Sequence, residues 1–460
     1  GGETAGAGIG RINGRGSISD LDKDASRLDI DLGQLQLGFD DLRQTIPGAA
    51  RLPAGGRLSG AVKLSGGTST ETLAVDARGL NVAFGSSRLA GDVNVKNLAE
   101  PVLDVKLAQI DLAFDDVRAM SASAADLPAG GRFKGALTMS GDTKKSASVK
   151  AGVKIDSLTA ADSSLKGQID IENLDKPRFD LALTADKLDV DKRRAAFSSD
   201  TDEKTKKKKD DNPHGLSKET RALLADVNGK GSLNAARAIV KGIPVTNFKS
   251  TLTMTRGKLK FDTLEFGIYG GTMTATGTSV DLPAERTGYD LKLNGKDIDF
   301  GAAIAEQTGL GRIFSGTISP KLEVKGKGLA AGDFAISADG PAEMKFKSLS
   351  ISTLDLLGPI GEAVNKTGKL PGAKLGAASS GGGLSLSGFT ALTKFLGGRL
   401  RLDKPIDADT PLGKMNITGS AGMDAGMDFT STIQLTPATI AKLTGNKIKV
   451  KEAVPVPLKI

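Results

Sequence analysis

Asp40-Asp41 and Asp115-Asp116 are the residues of this 460-residue chain whose types and spacing come nearest to a chemical site. Adjacent carboxylates suit a divalent cation or an acid–base pair, but either use needs a histidine or further carboxylates at ligand spacing. Neither doublet has them in the sequence. The single histidine, His214, sits in Asp-Asn-Pro-His-Gly, a loop composition, and the chain has no cysteine. Disulfides, thiolate metal sites and cysteine nucleophiles are therefore excluded. Glycine-rich stretches lack both the G-x-G-x-x-G that opens a βαβ unit and the G-x-x-x-x-G-K-[ST] phosphate loop. No catalytic residue, metal or cofactor is expected, and an enzyme ranks behind the other readings. The acidic doublets are expected to cap turns or short helices at strand ends.

Each doublet belongs to a duplicated segment. Residues 34–43 read QLQLGFDDLR and residues 109–118 read QIDLAFDDVR, and Leu52-Pro-Ala-Gly-Gly-Arg57 returns as Leu127-Pro-Ala-Gly-Gly-Arg132 at the same offset of 75. At an offset of 76, Gly91–Asp104 is matched by Gly167–Asp180, and both contain Asn-Leu-x-x-Pro. That motif reads as a turn between antiparallel strands, with Asn taking unusual dihedrals and Pro opening the next strand. Leu35, Leu37 and Phe39, like Ile110, Leu112 and Phe114, alternate with polar residues as on one face of a strand. A degenerate third copy runs through Asp297-Ile298-Asp299-Phe300, a short helix over Gly301–Thr308, and Gly311-Arg312.

The same alternation recurs at Leu103, Val105, Leu107 and at Phe179, Leu181, Leu183. With 59 Gly, 18 aromatics and no Trp, the composition favours many thin strands over aromatic-centred cores. The fold class expected is mainly β: repeated antiparallel strand pairs forming an extended curved sheet or groove, with a few short helices. Gly-Gly at 270–271 and 397–398 is expected in hairpin turns. Helices are expected at Thr436-Pro437 to Leu443, with Thr436 as N-cap, and within Leu216–Asp226, starting near Ser217.

Charge narrows the partners. The chain carries a formal +8, yet its densest basic run, Lys206–Lys209 with Lys204, is balanced by Asp200, Asp202, Glu203, Asp210 and Asp211. This polyampholyte reads as a disordered linker. Residues 301–460 hold 16 Lys and 3 Arg against 13 acids, spread without clustering. Such a distribution suits weak attraction to anionic surfaces, and without interleaved stacking aromatics no nucleic-acid partner is expected. No uncharged apolar run is long enough to span a bilayer. The organisation expected is a duplicated region at 1–198, a charged insert at 199–215 and a β-rich region at 216–460.

Residues from about 224 to 443 resemble the C-terminal region of the AsmA family, the TamB-related periplasmic envelope proteins of Gram-negative bacteria. The likeness rests on Val227-Asn-Gly-Lys-Gly-Ser-Leu-Asn, Phe261-Asp-Thr-Leu-Glu-Phe-Gly-Ile-Tyr-Gly-Gly-Thr-Met, Ser315-Gly-Thr-Ile-Ser-Pro-Lys-Leu-Glu-Val and Met427-Asp-Phe-Thr-Ser-Thr-Ile-Gln-Leu. The resemblance implies a periplasmic protein anchored to the inner membrane through a segment missing here. It also implies a curved β-sheet with an apolar groove, acting in outer-membrane lipid supply or assembly. Phospholipid or another acyl lipid would then be the partner, and groove walls are expected among Leu103, Val105, Leu107, Phe179, Leu181, Leu183, Leu259 and Phe261. The alternative is that the apolar faces pack shut in a closed β core, giving a scaffold for outer-membrane assembly proteins. Periodicity is the same in both cases.

Overall fold

In a computed structural model of the chain, the residues described are 10–19, 26–45, 49–121, 124–125, 127–160, 162–190, 215–240, 242–308, 314–328, 331–352, 384–422, 426–446 and 448–459. His214, nearly all of the charged run at 199–215, and Gly311-Arg312 lie outside them. The fold is mainly β, with short helices. Contacts divide it into two units, Gly1–Lys209 with Asp226–Gly257, and Asp210–Ala225 with Lys258–Ile460.

The first unit begins with β1 (Arg11–Ser19) and β2 (Arg27–Gly38), then α1 (Phe39–Thr45) and three strands, β3 (Arg57–Gly67), β4 (Ala74–Phe84) and β5 (Ser87–Lys96). The second copy repeats that order as β6 (Val102–Ala113), α2 (Phe114–Met120), β7 (Arg132–Asp142), β8 (Lys150–Ala160) and β9 (Ser163–Glu172). β10 (Arg178–Asp189) follows β9 as β6 follows β5, and β11 (Asn228–Val240) and β12 (Ile243–Thr255) complete the unit. Each strand from β1 to β10 pairs antiparallel with the next. β10 and β11, by contrast, are parallel. Parallel neighbours need a crossover rather than a hairpin, and the long chain between residues 189 and 228 supplies the length for it.

Local chemistry explains the duplicated motifs. The Phe39 and Phe114 N–H groups donate to the carbonyls of Gly56 (2.8 Å) and Gly131 (2.9 Å). Asp40 and Asp115 accept the Gly55 and Gly130 N–H groups at 3.1 and 3.2 Å, and each carboxylate also accepts from an arginine one turn on, Arg43 or Arg118. The loop needs both glycines. Gly130 sits at φ +67°, and a Cβ on Gly131 would lie 2.2 Å from the Phe114 ring. Each doublet thus fastens a short helix to the Pro-Ala-Gly-Gly-Arg loop. Asp116 reaches the other way, accepting from Ser86 N–H (2.8 Å) and Ser87 Oγ–H (2.7 Å) in the β4–β5 hairpin. Asn97 and Asn173 take φ of 56° and 58° and cap their turns by accepting the Glu100 and Lys176 N–H groups.

The second unit contains α3 (Lys218–Leu224), whose N-cap Ser217 accepts from the Thr220 N–H. It continues with β13 (Lys258–Ile268), β14 (Gly271–Ala275), β15 (Ser279–Asp281), β16 (Gly288–Lys296), β17 (Ile298–Asp299), α4 (Phe300–Thr308) and β18 (Phe314–Lys327). After α5 (Ala331–Ser337) come β19 (Gly340–Ile351), β20 (Leu384–Leu396), β21 (Arg399–Leu402), β22 (Ile406–Thr410) and β23 (Gly413–Gly422). It closes with β24 (Met427–Leu435), α6 (Pro437–Leu443) capped by Thr436, and β25 (Val454–Lys459). The β20–β21 turn uses Gly397 and Gly398 at positive φ as expected. In the β13–β14 turn, by contrast, Tyr269 and Gly270 hold the positive φ and Gly271 starts the strand. Buried apolar residues cluster here: Ile298, Ile318, Phe346, Leu386, Phe389, Met415, Ile433, Leu435, Ile440 and Val456 form a contiguous core.

Candidate functional site

Alternation puts every second side chain of a strand on one face, and register decides which faces join into a surface. In the first unit one row of partnered residues runs from β2 to β12: Leu32, Val62, Ala77, Val93, Val105, Met139, Ala151, Ile171, Phe179, Gly229 and Met254. Each member is apolar or glycine. Ten inter-strand steps of about 4.8 Å make this row roughly 48 Å long. A second row on the same face joins Leu107, Leu137, Val153, Ile169, Leu181, Gly231 and Leu252. A third joins Ile30, Leu64, Val75, Val95 and Leu103, and a fourth joins Ile110, Gly135, Ile155, Gly167 and Leu183.

The structure therefore brings six of the eight sequence candidates onto one face. Leu103, Val105 and Leu107 lie on β6, Phe179, Leu181 and Leu183 on β10, and their rows are linked through β7, β8 and β9. Leu259 and Phe261 belong to β13 of the second unit, where Leu259 is in register with Val280. All eight are half-buried. By contrast, Ile433 and Val456 in the second unit are 0% exposed. The first three rows of the first unit's face are thus half-buried at all positions but Ala77, its fourth row is buried at Ile110, Gly135 and Ile155, and part of the second unit's apolar surface is shut away.

The reverse face of the first unit is polar. Between the first two apolar rows lies one of Lys106, Thr138, Gly152, Asp170, Asp180, Lys230 and Thr253, with Lys230 bridging to Asp180 at 3.1 Å. Hollows of about 530 and 840 Å³ lie at repeat-related positions of this unit, lined by residues such as Arg88, Gln109, Asp111 and Lys134 in one, and Arg11, Asn13, Gln34 and Gln36 in the other. Asp111 is held below the usual carboxylate range, chiefly by the hydrogen bond from Arg132 at 2.5 Å. Asp116 is also lowered: burial pushes it up, and the hydrogen bonds from Ser87 and Ser86 outweigh that push. Both carboxylates are spoken for by structural partners.

Residues that sequence reasoning missed, such as Leu32, Val62, Val93, Met139, Ile171 and Met254, carry the same alternation as the candidates. Joining them requires counting through the register shifts between Leu32 and Leu35, Ala77 and Leu80, and Leu107 and Ile110, which sequence does not display. Among the described residues, no group of three or more His, Cys, Asp or Glu is placed to hold a metal, and no helix is long and apolar enough to cross a membrane.

Comparison with known proteins finds the AsmA family profile matching residues 69–403. The match covers most of the paired strands of the first unit and runs on through β21 of the second. No curated protein and no solved structure matches the chain.

Proposed function

Since the chain belongs to the AsmA family, whose envelope-associated and generally non-enzymatic proteins serve outer-membrane biogenesis, we propose that it binds phospholipid acyl chains along the apolar face of its first unit. The observation that carries this reading is the unbroken row from Leu32 to Met254, flanked by further apolar rows and half-buried at every position but the buried Ala77. An apolar surface left facing water gains free energy when covered, about 0.8 kcal/mol per buried methylene. For an acyl chain of roughly 16 carbons that is on the order of 10 kcal/mol, before ordering and headgroup costs. Aliphatic rows without a deep aromatic pocket let a chain shift along the face, which suits conduction as well as binding. The site of action is the periplasm, as the family resemblance implies.

The test is organic extraction and mass spectrometry of lipid carried by the detergent-free protein, with a soluble β protein from the same cells alongside. Stoichiometric phospholipid is expected in this protein alone. Val105→Asp with Leu181→Asp is expected to strip the lipid while the circular dichroism spectrum stays β-like. Lipid equal to the control, or unchanged in the double variant, sinks the reading. A second reading, a scaffold for outer-membrane assembly proteins, draws on the shut core of the second unit. Capture of such proteins by a lipid-free preparation would favour it.

A further inference from the structure

Along the sequence the lysines of the second unit do not cluster, but strand register gathers six of them on one face. β16, β18, β19 and β20 are neighbours, each antiparallel to the next. One face of this sheet is packed, with Ile318, Val324, Ala342, Phe346 and Phe389 buried. On the opposite face, alternation places Lys292 and Lys296 of β16, Lys321, Lys325 and Lys327 of β18 and Lys345 of β19, all exposed. The carboxylates among them are Asp290, Glu323 and Glu343, so positive charge is in surplus. Lys321 bridges Glu323 and Lys325 bridges Asp290, each at 3.3 Å, and Asp297 beside Lys296 is already held by Lys347 at 2.6 Å. Lys292, Lys327 and Lys345 have no ion pair among the described residues. On the polar side of the first unit, by contrast, Lys106, Lys154 and Lys230 bridge Asp104, Asp156 and Asp180. Two leucines share the lysine face: Leu392 and Leu396 of β20 are 39% and 45% exposed, and Leu392 is in register with Glu343 and, through it, with Lys321.

We propose that this face of the second unit docks on the surface of an anionic lipid bilayer. Its cations on β16, β18 and β19 are all lysines, compact charges on flexible stems that meet headgroup phosphates without a fixed geometry. Protein interfaces deplete lysine, which costs side-chain entropy to immobilise, so an acidic protein fits the face less well. A single-stranded nucleic acid would need aromatic platforms, and the lysine face of these four strands carries no aromatic residue. Leu392 and Leu396 complete the match, because apolar side chains beside cations gain by entering the boundary between headgroups and acyl chains. The assignment does not rest on lipid carried by the first unit.

Flotation of the full chain with vesicles of phosphatidylglycerol and phosphatidylcholine in equal parts, beside vesicles of phosphatidylcholine alone, tests the docking. The chain is expected to float with the anionic vesicles only, and to be released as salt screens the charges. A lysine close to an anionic surface strengthens binding about fivefold. Lys292→Gln, Lys327→Gln and Lys345→Gln together are therefore expected to weaken it on the order of 100-fold. The same charge removed from the first unit, by Lys106→Gln, Lys154→Gln and Lys230→Gln, is expected to leave flotation close to that of the unsubstituted chain. In this cysteine-free chain, Leu396→Cys carrying an environment-sensitive fluorophore is expected to shift its emission to the blue on the anionic vesicles. Val105→Asp with Leu181→Asp is expected to float unchanged, which separates docking from lipid held by the first unit. Equal flotation with neutral vesicles, equal loss in the two lysine triples, or binding without an emission shift overturns the proposal. Loss of flotation in the aspartate variant assigns the binding to the first unit instead, and a single-stranded oligonucleotide held where vesicles are not assigns the face to a polyanion; either result overturns it as well.

Discussion

At the scale of single residues, the contact between Gly131 and Phe114 shows how little freedom the repeat leaves. Gly131→Ala would press a methyl into the Phe114 ring, and overpacking of this kind costs about 1–3 kcal/mol. Gly130→Ala forces a side chain at φ +67° into a less favourable backbone region, at about 1 kcal/mol. Urea denaturation is expected to rank Gly131→Ala as the more damaging, and equal midpoints would contradict the contact. Asp116 makes a prediction in pH. Its carboxyl is lowered from 3.8, so the folded state favours the charged form: the stabilisation is full above about that pH and is lost as pH falls through the lower folded value. Unsubstituted protein is expected to lose more stability between pH 7 and pH 3 than Asp116→Asn, measured as the difference in urea midpoint. The acidic doublets were legible as structural residues, but they do not cap their helices as expected: the N-cap of α2 is Ala113, without a side-chain cap bond, and Asp115 and Asp116 lie in the first turn. What Asp116 holds was not legible, since Ser86 and Ser87 stand 30 and 29 residues away from it.

At the scale of elements, the helix ends and turns follow local rules, and the sequence reading holds for α3, α6 and the β20–β21 turn but not for the β13–β14 turn, where Tyr269 takes the positive φ beside Gly270. Thr436 accepts the Thr439 N–H at 3.2 Å, with Pro437 opening α6 and Ile440 buried beneath it. Thr436→Ala is expected to cost about 1 kcal/mol by removing that cap, read as a lowered thermal midpoint of the second unit's transition. A cost below about 0.3 kcal/mol would mean that tertiary packing alone sets the helix end. Strands were legible too, because alternation of period two needs only the strand itself. The parallel pairing of β10 with β11 was not, because direction is chosen by the chain that connects two strands and by the rows they complete.

At the scale of the whole chain, the two units use the same alternation for different ends. Ile433→Ala empties space in a closed core and is expected to cost about 2–5 kcal/mol. Val105→Ala trims a half-buried face and is expected to cost about 1 kcal/mol or less. Chemical denaturation of the two variants measures the contrast, and equal losses would mean that the first unit's face is packed shut. The sequence by itself determined a mainly β chain of 75-residue repeats, without cysteine and with its acidic doublets at strand ends. It did so because period-two alternation, turn residues and helix caps act over a few neighbouring positions. Only the tertiary structure decided that eleven strands align one apolar row in the first unit and that a contiguous core closes in the second. The physical reason is that a strand's pattern is identical whether its apolar face meets water, lipid or another layer. Register, set by long-range pairing and by shifts invisible in the chain, chooses among them.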